Sequence, residues 1–135
     1  MRILLIGGTG FISGEIARLA VGAGHAVTLF HRHAASGGAL PALAGDAERL
    51  PEHAAALREI APDLVVHSVC HSEQHARDLL AVFAGTDARL LVLGSQDCYA
   101  AFQDTARGRD TADFPIGEDD PLTPIRHYYR DRIPG

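Results

Sequence analysis

The chain has 135 residues, 47% hydrophobic and 21% charged, a composition that fits one globular domain and excludes a disordered segment. A formal charge of −5, with no long basic run, disfavours duplex nucleic acid and anionic membranes as partners. No stretch approaches the roughly 20 apolar residues of a membrane span, and glycines cut the opening MRILLIGG too early for a signal peptide, so a cytoplasmic protein is expected.

Short, nearly continuous apolar runs at Arg2–Ile6, Ala26–Phe30, Leu64–Val69 and Leu90–Leu93 predict parallel strands covered on both faces, with a weaker strand over Leu43–Gly45. Between them, helical spacing puts Ile12, Ile16, Leu19 and Ala20 on one face of a first helix. Ala54, Leu57, Ile60 and Ala61 mark a second. Leu79, Leu80 and Phe83 mark a third, with Ser72 as N-cap and Gly85 as its stop. Strands alternating with helices imply right-handed crossovers and a doubly wound parallel sheet of about five strands, in the order 3-2-1-4-5. From Gln103 onward the periodicity dissolves into Gly, Pro and charged residues. The expected organisation is therefore a nucleotide-binding unit over 1–102 and a polar tail over 103–135. Cys70 and Cys98 lack the spacing of a zinc or redox motif and read as buried free thiols.

The sharpest motif is Gly7-Gly8-Thr9-Gly10-Phe11-Ile12-Ser13-Gly14, directly after the first strand and opening the first helix. Gly7 permits a tight turn, Gly10 lets the backbone approach a pyrophosphate, and the free N–H groups at the helix start face phosphate charge. The alternative is a purely structural glycine turn.

The stretch RILLIGGTGFISGEIARLAVGAGHAVTLFHR resembles the opening of extended short-chain dehydrogenase/reductases, the epimerase/dehydratase group, with fingerprint TGxxGxxG. Gly7 and Gly10 match its first two glycines. Ile6 replaces the leading Thr, and Ser13 replaces the third Gly, where helix and strand pack closely; Gly14 is expected to relieve the crowding. Ser at that position also resembles an atypical branch that includes chloroplast stem-loop-binding relatives. The resemblance implies a Rossmann fold and covers nearly all of this chain, but only about the N-terminal half of a family member, so the chain stops before a substrate lobe.

Residue by residue, the resemblance implies a cofactor site. NAD-specific members carry an acid after the second strand, whereas this chain has Phe30-His31-Arg32-His33. Arg32 suits a 2′-phosphate, so NADP is preferred and NAD is the alternative; a solvated loop arginine is the plain reading. Gly45-Asp46 resembles the Gly-Asp whose carboxylate meets the adenine; a turn Asp is the other reading. Pro62-Asp63-Leu64-Val65-Val66-His67-Ser68-Val69-Cys70 resembles PDxVxHxAA, which passes under the nicotinamide-side ribose and puts Ser68 and Val69 beside the cofactor. The cofactor-binding set is thus Gly7, Gly8, Thr9, Gly10, Phe11, Ile12, His31, Arg32, Asp46, Ser68 and Val69.

Catalysis in this family uses a Ser after the fifth strand and a Tyr-x-x-x-Lys on the next helix, where the lysine lowers the tyrosine pKa. By resemblance Ser95 takes the serine's place, Tyr99 that of a non-catalytic tyrosine, Tyr128 the catalytic place and Arg132 the lysine's. In the atypical branch Tyr128 is only a loop residue. The 12 Lys and Arg residues are all arginine. Two readings follow: an oxidoreductase, epimerase or dehydratase, catalytically incomplete as this chain stands, or a non-catalytic dinucleotide- or RNA-associated binding protein. A dinucleotide cofactor and an unidentified small-molecule substrate are the expected partners, with oligomer formation open. His71 and His75 have the i, i+4 spacing of paired metal ligands, but no third ligand is convincingly placed, so no metal site is expected and the histidines read as polar groups around a cofactor mouth.

Overall fold

The structure, a computed structural model, describes residues 1–7, 10–33, 39–102, 108 and 115–124. The chain divides into two compact units, Met1–Gly94 and Ser95–Gly135.

In the first unit five strands form one parallel sheet: β1 (Arg2–Ile6), β2 (Ala26–His31), β3 (Ala42–Ala44), β4 (Leu64–His67) and β5 (Arg89–Val92), in the order β3-β2-β1-β4-β5. This is the expected doubly wound, Rossmann-like order. β1 lies at the centre, and its alternation divides the core. Leu4 and Ile6 join Phe30, Leu50, Leu57, Val65, Leu79, Val82 and Phe83 on one face, while Ile3 and Leu5 join Ala17, Val27 and Val66 on the other. Asp63 fastens the start of β4 to that of β1: its carboxylate accepts the Arg2 backbone N–H at 2.6 Å and faces the Arg2 guanidinium. The same contacts, the backbone N–H foremost, hold its pKa below the ordinary value.

Helix α1 (Phe11–Gly22) buries small residues. Ser13 and Ala17 face the sheet, with Ile16 and Ala20 packed beside them. Ile12 and Leu19, expected on that buried face, are 60% and 56% exposed. A stripe of small residues lets the helix come close to the sheet, and the larger side chains rotate outward. Gly14 faces open space and so relieves no crowding.

The second helical stretch is broken. A 3-10 helix over Ala47–His53, N-capped by Asp46, runs into α2 (Ala54–Glu59), whose buried anchor is Leu57. Ala61, expected on the helical face, lies beyond its end at φ +46°, the one non-glycine residue with positive φ among those described. The cause is Pro62, whose ring disfavours helical backbone at the residue before it. Helix α3 (Glu73–Phe83) starts at Ser72, whose Oγ accepts the His75 N–H at 3.2 Å, and is followed by Gly85 at φ +74°. Its buried face is Leu79, Val82 and Phe83, and Leu80 is exposed, because an i, i+3, i+4 stripe excludes the next position around.

Four strands differ from expectation by one or two residues at their ends, β2 running one further, to His31. β4 stops at His67, because the Val69 N–H turns back to His67 Nδ1 at 3.3 Å. β3 spans 42–44, and β5 begins at Arg89, whose N–H reaches the Asp63 carbonyl at 3.0 Å. Of the two free thiols expected to be buried, Cys70 is half-buried, with its pKa pushed up by burial, and Cys98 is exposed. Cys98 lies in a short 3-10 turn (Gln96–Cys98) rather than in a strand.

In the second unit, that turn leads to Tyr99, which bridges Leu122 in antiparallel fashion. Burial, then the carboxylate of Glu118, raises the Tyr99 phenol's pKa. No helix among the described residues is long and apolar enough to cross a membrane.

Candidate nucleotide site

A cavity of about 320 Å³ opens at the carboxyl ends of β1, β2 and β3. In open parallel sheets this end, beside the central strand where the winding reverses, is where ligands bind. Gly7 and Gly10 form one side of the cavity; His31, Arg32 and His33 form another. Gly45 to Glu48 close the floor, and Val69, His71 and His75 complete the rim. A larger cavity of about 490 Å³ sits at the opposite, amino-terminal ends of the strands, among Arg2, Arg58, Asp63, Asp87 and Arg89. Ion pairing and capping already engage much of its charge. Arg2 pairs with Asp63, and the Arg58 guanidinium donates to the Ala81 and Val82 carbonyls that end α3.

Two glycines of the turn serve different ends. Gly7 has φ +83°, and its N–H donates to the Phe30 carbonyl at 2.9 Å. A Cβ there would meet Ser68 Oγ at 2.7 Å and the Val69 methyls at 2.9 Å, so both backbone and neighbours demand glycine. Gly10 has ordinary extended backbone as the N-cap of α1, and a Cβ on it would meet nothing within 4 Å. The space above Gly10 is open to a ligand. No side chain among the described residues caps α1, and its first turn holds no acidic residue, so the amide groups there keep their positive potential. Gly8 and Thr9 lie outside the described residues. Phe11 and Ile12 are exposed beside the cavity, outside its lining.

Ser13, at the third position of the motif, is 3% exposed, and its hydroxyl donates to Ser68 Oγ at 2.7 Å. Ser68 in turn donates to the Ile6 carbonyl at 2.9 Å. Ser68 thus lies beneath the glycine turn, holding β4, β1 and α1 together, and is not part of the cavity lining.

On the floor, Gly45 packs against the Phe30 ring; any Cβ would overlap that ring and approach His53. Asp46 lines the cavity while its carboxylate accepts the Glu48 N–H at 3.1 Å, so one oxygen is engaged in capping. His31 is half-buried in the cavity wall, and its Nδ1 is buried with no hydrogen-bond partner among the described residues. Arg32 is exposed and forms no ion pair among the described residues.

His71 and His75, read from the sequence as polar groups around a cofactor mouth, do line this cavity, and the structure adds a stack that the sequence did not show. The His67 ring is fully buried at the end of β4 and stacks on His75 at 6.3 Å between centroids and 17° between planes. His71 tilts against His75 at 6.5 Å. Burial, and then the neighbouring His75 and His71, lower the His67 pKa from 6.5 to about 4. Among the described residues no group of three or more His, Cys, Asp or Glu is arranged to hold a metal ion. Ser95 belongs to the second unit, where its Oγ accepts the Asp97 N–H at 3.3 Å. Tyr128 and Arg132 lie outside the described residues.

No family profile matches the chain, and no curated protein matches its sequence. Solved structures do match its fold. The enzyme WbmG of Bordetella bronchiseptica, in complex with NAD, superposes with a TM-score of 0.75 at 21% identity, over 95% of this chain and 45% of that one. UDP-glucose 4-epimerase of Brucella ovis, in complex with NAD, gives 0.72 at 21% identity, over 96% and 43%. dTDP-glucose 4,6-dehydratase of Bacillus anthracis, in complex with NAD, gives 0.73 at 15% identity, over 95% and 46%. The chain therefore spans less than half the length of these structures. At such identities the likeness establishes the fold; two of these neighbours are named as an epimerase and a dehydratase, the group that the glycine-rich turn resembles.

Proposed function

We propose that this chain binds a nicotinamide dinucleotide in the cavity at the carboxyl ends of β1 to β3, as the nucleotide-binding part of an oxidoreductase of the epimerase/dehydratase type. One observation carries the reading: the open space over Gly10, at an uncapped helix start, lies in one continuous cavity with His31, Arg32 and Asp46. The pyrophosphate would sit over Gly7 to Ile12. The adenosine would lie against Gly45 and Asp46, and the ribose of the nicotinamide half near Ser68 and Val69. The buried, unpartnered Nδ1 of His31 fits this pose, since a ligand hydroxyl or ring nitrogen would satisfy it. When bound, the dinucleotide supplies hydride chemistry; the residues of this chain supply binding and orientation.

Arg32, with no ion pair among the described residues, supports a preference for NADP, whose 2′-phosphate a guanidinium fork accepts in two hydrogen bonds. The fold neighbours were crystallised with NAD, so the preference rests on this chain's own residues. Titration with NADPH and NADH, followed by fluorescence, tests both statements. Binding of neither cofactor would overturn the reading, and tighter NADH binding would overturn the NADP preference.

The absence of lysine favours a second reading, in which the chain binds but does not turn over. Ser95 and Tyr128 hold the serine and tyrosine places by resemblance, but nothing in the sequence supplies the ammonium that would lower a tyrosine's pKa. NADPH oxidation with a defined substrate, lost on Tyr128→Phe, would refute that reading.

A further inference from the structure

The imidazole of His75 is held in one orientation by its own helix. Its Nδ1 accepts the backbone N–H of His71 at 3.2 Å, while its backbone N–H is taken by the Ser72 hydroxyl. A ring nitrogen that accepts a hydrogen bond carries no proton, so the neutral ring is the Nε2–H tautomer. Protonation adds a hydrogen only at Nδ1, so Nε2 is a donor in either state. Fully buried His67 lies nearly parallel to the ring, 17° between planes and 6.3 Å between centroids. His75 also lines the cavity with Gly7, Gly10 and Val69; among the described lining residues the carboxylates are Asp46 and Glu48, which follow β3.

We propose that His75 is a binding residue for the nucleotide's phosphates: its Nε2–H, fixed by the His71 backbone, donates to a phosphate oxygen across from the glycine turn. This rests on the nucleotide reading above and adds a specific donor to it. A phosphate in that position is held from two sides, by the amides that begin α1 and by the imidazole on the first turn of α3. Donation from Nε2 needs no charge, so the contact persists where the ring is neutral.

Three ligands and three variants separate the possibilities. Adenosine lacks phosphate, whereas ADP and NADPH carry it. His75→Phe keeps the ring that stacks on His67 but removes the donor; His75→Gln keeps an amide donor at nearly the same reach. By calorimetry, His75→Phe is expected to weaken ADP and NADPH about three- to tenfold, the worth of one neutral hydrogen bond, and to leave adenosine unchanged. His75→Gln is expected to recover most of the loss. If wild-type chain binds ADP and His75→Phe binds it equally well, His75 is not a phosphate ligand. Equal weakening of adenosine would make its role one of packing and would overturn the proposal. Should His75→Phe fail to fold by circular dichroism, His75→Gln decides, since wild-type affinity there with a weakened His75→Leu supports the donor and weakening by His75→Gln equal to that by His75→Leu overturns it. Failure of the wild-type chain to bind any of the three ligands would instead overturn the nucleotide reading, and His75 with it.

Discussion

The hydroxyl of Ser13 donates to the hydroxyl of Ser68 at 2.7 Å, joining the first helix to the end of β4 beneath the glycine turn. Each serine by itself is a departure from the residue expected at its position: Ser13 where a helix must approach a strand, Ser68 where a small apolar residue runs under a ribose. Together they satisfy each other, and Ser68 passes its own proton to the Ile6 carbonyl. The pair should therefore behave as a unit in mutagenesis. Ser68→Ala strands the Ser13 hydroxyl in a buried site and should cost about 1–3 kcal/mol in urea unfolding. The double change, Ser13→Ala with Ser68→Ala, removes both polar groups and should cost less than the sum of the two single changes. Strict additivity would show that the hydrogen bond contributes nothing.

Gly7 and Gly10 should fail in opposite ways. Gly7→Ala places a Cβ against Ser68 and Val69 at φ +83°, so it should destabilise the fold, by about 1–3 kcal/mol. Gly10→Val puts its branched side chain into open space, so melting temperature should hardly move while nucleotide binding disappears. A Gly10→Val chain that keeps wild-type affinity for NADPH would remove the pyrophosphate from this turn.

Arg32→Ala should weaken NADPH roughly tenfold or more, the loss of a charge-assisted contact, and should leave NADH nearly unchanged. The measurement is a pair of titrations at one ionic strength, because a phosphate contact is screened by salt. Equal weakening of the two cofactors would assign Arg32 to the shared diphosphate or to the loop itself.

Stability should depend on pH through His67. Its pKa falls from 6.5 to about 4 on folding, so between those values the unfolded chain binds more protons than the folded one. Stability from this group is therefore complete above pH 6.5 and lost progressively as pH drops toward 4, by about 3 kcal/mol at most. His67→Asn retains an acceptor for the Val69 N–H and has no proton to take up. Urea midpoints between pH 4.5 and 7.5 should fall more gently for that variant than for the wild type; parallel slopes would exonerate His67.

Much of the sheet was legible in the sequence because its strands are continuous apolar runs. β1 through Ile6 and β2 through Phe30 announce themselves, and the order 3-2-1-4-5 follows from right-handed crossovers. Helix faces were less legible. In α1 the buried stripe is Ser13 and Ala17, and an apolar count points instead at Ile12 and Leu19, which the structure exposes. Hydrophobicity marks a buried face only where the neighbour is distant enough to need large side chains. The glycine turn, Arg32 and Asp46 were visible as candidates, and the cavity gathers them. The histidine stack was not visible, since i, i+4 spacing relates only His71 to His75, and the partner that matters, His67, lies eight positions upstream of His75. The four residues between His67 and Ser72 turn the chain from β4 into α3, and only that reversal brings the two rings together.

Gly45 lies against the Phe30 ring, with no room for even one methyl group. The two positions are therefore coupled as a pair of shapes, and they should vary together across any set of homologues. A chain with Phe at the position of Phe30 must hold Gly at that of Gly45, and a chain with Val or Ala at the first gains room for Ala at the second. Such a covarying pair offers a criterion for recognising distant kin where overall identity has decayed below what alignment can detect.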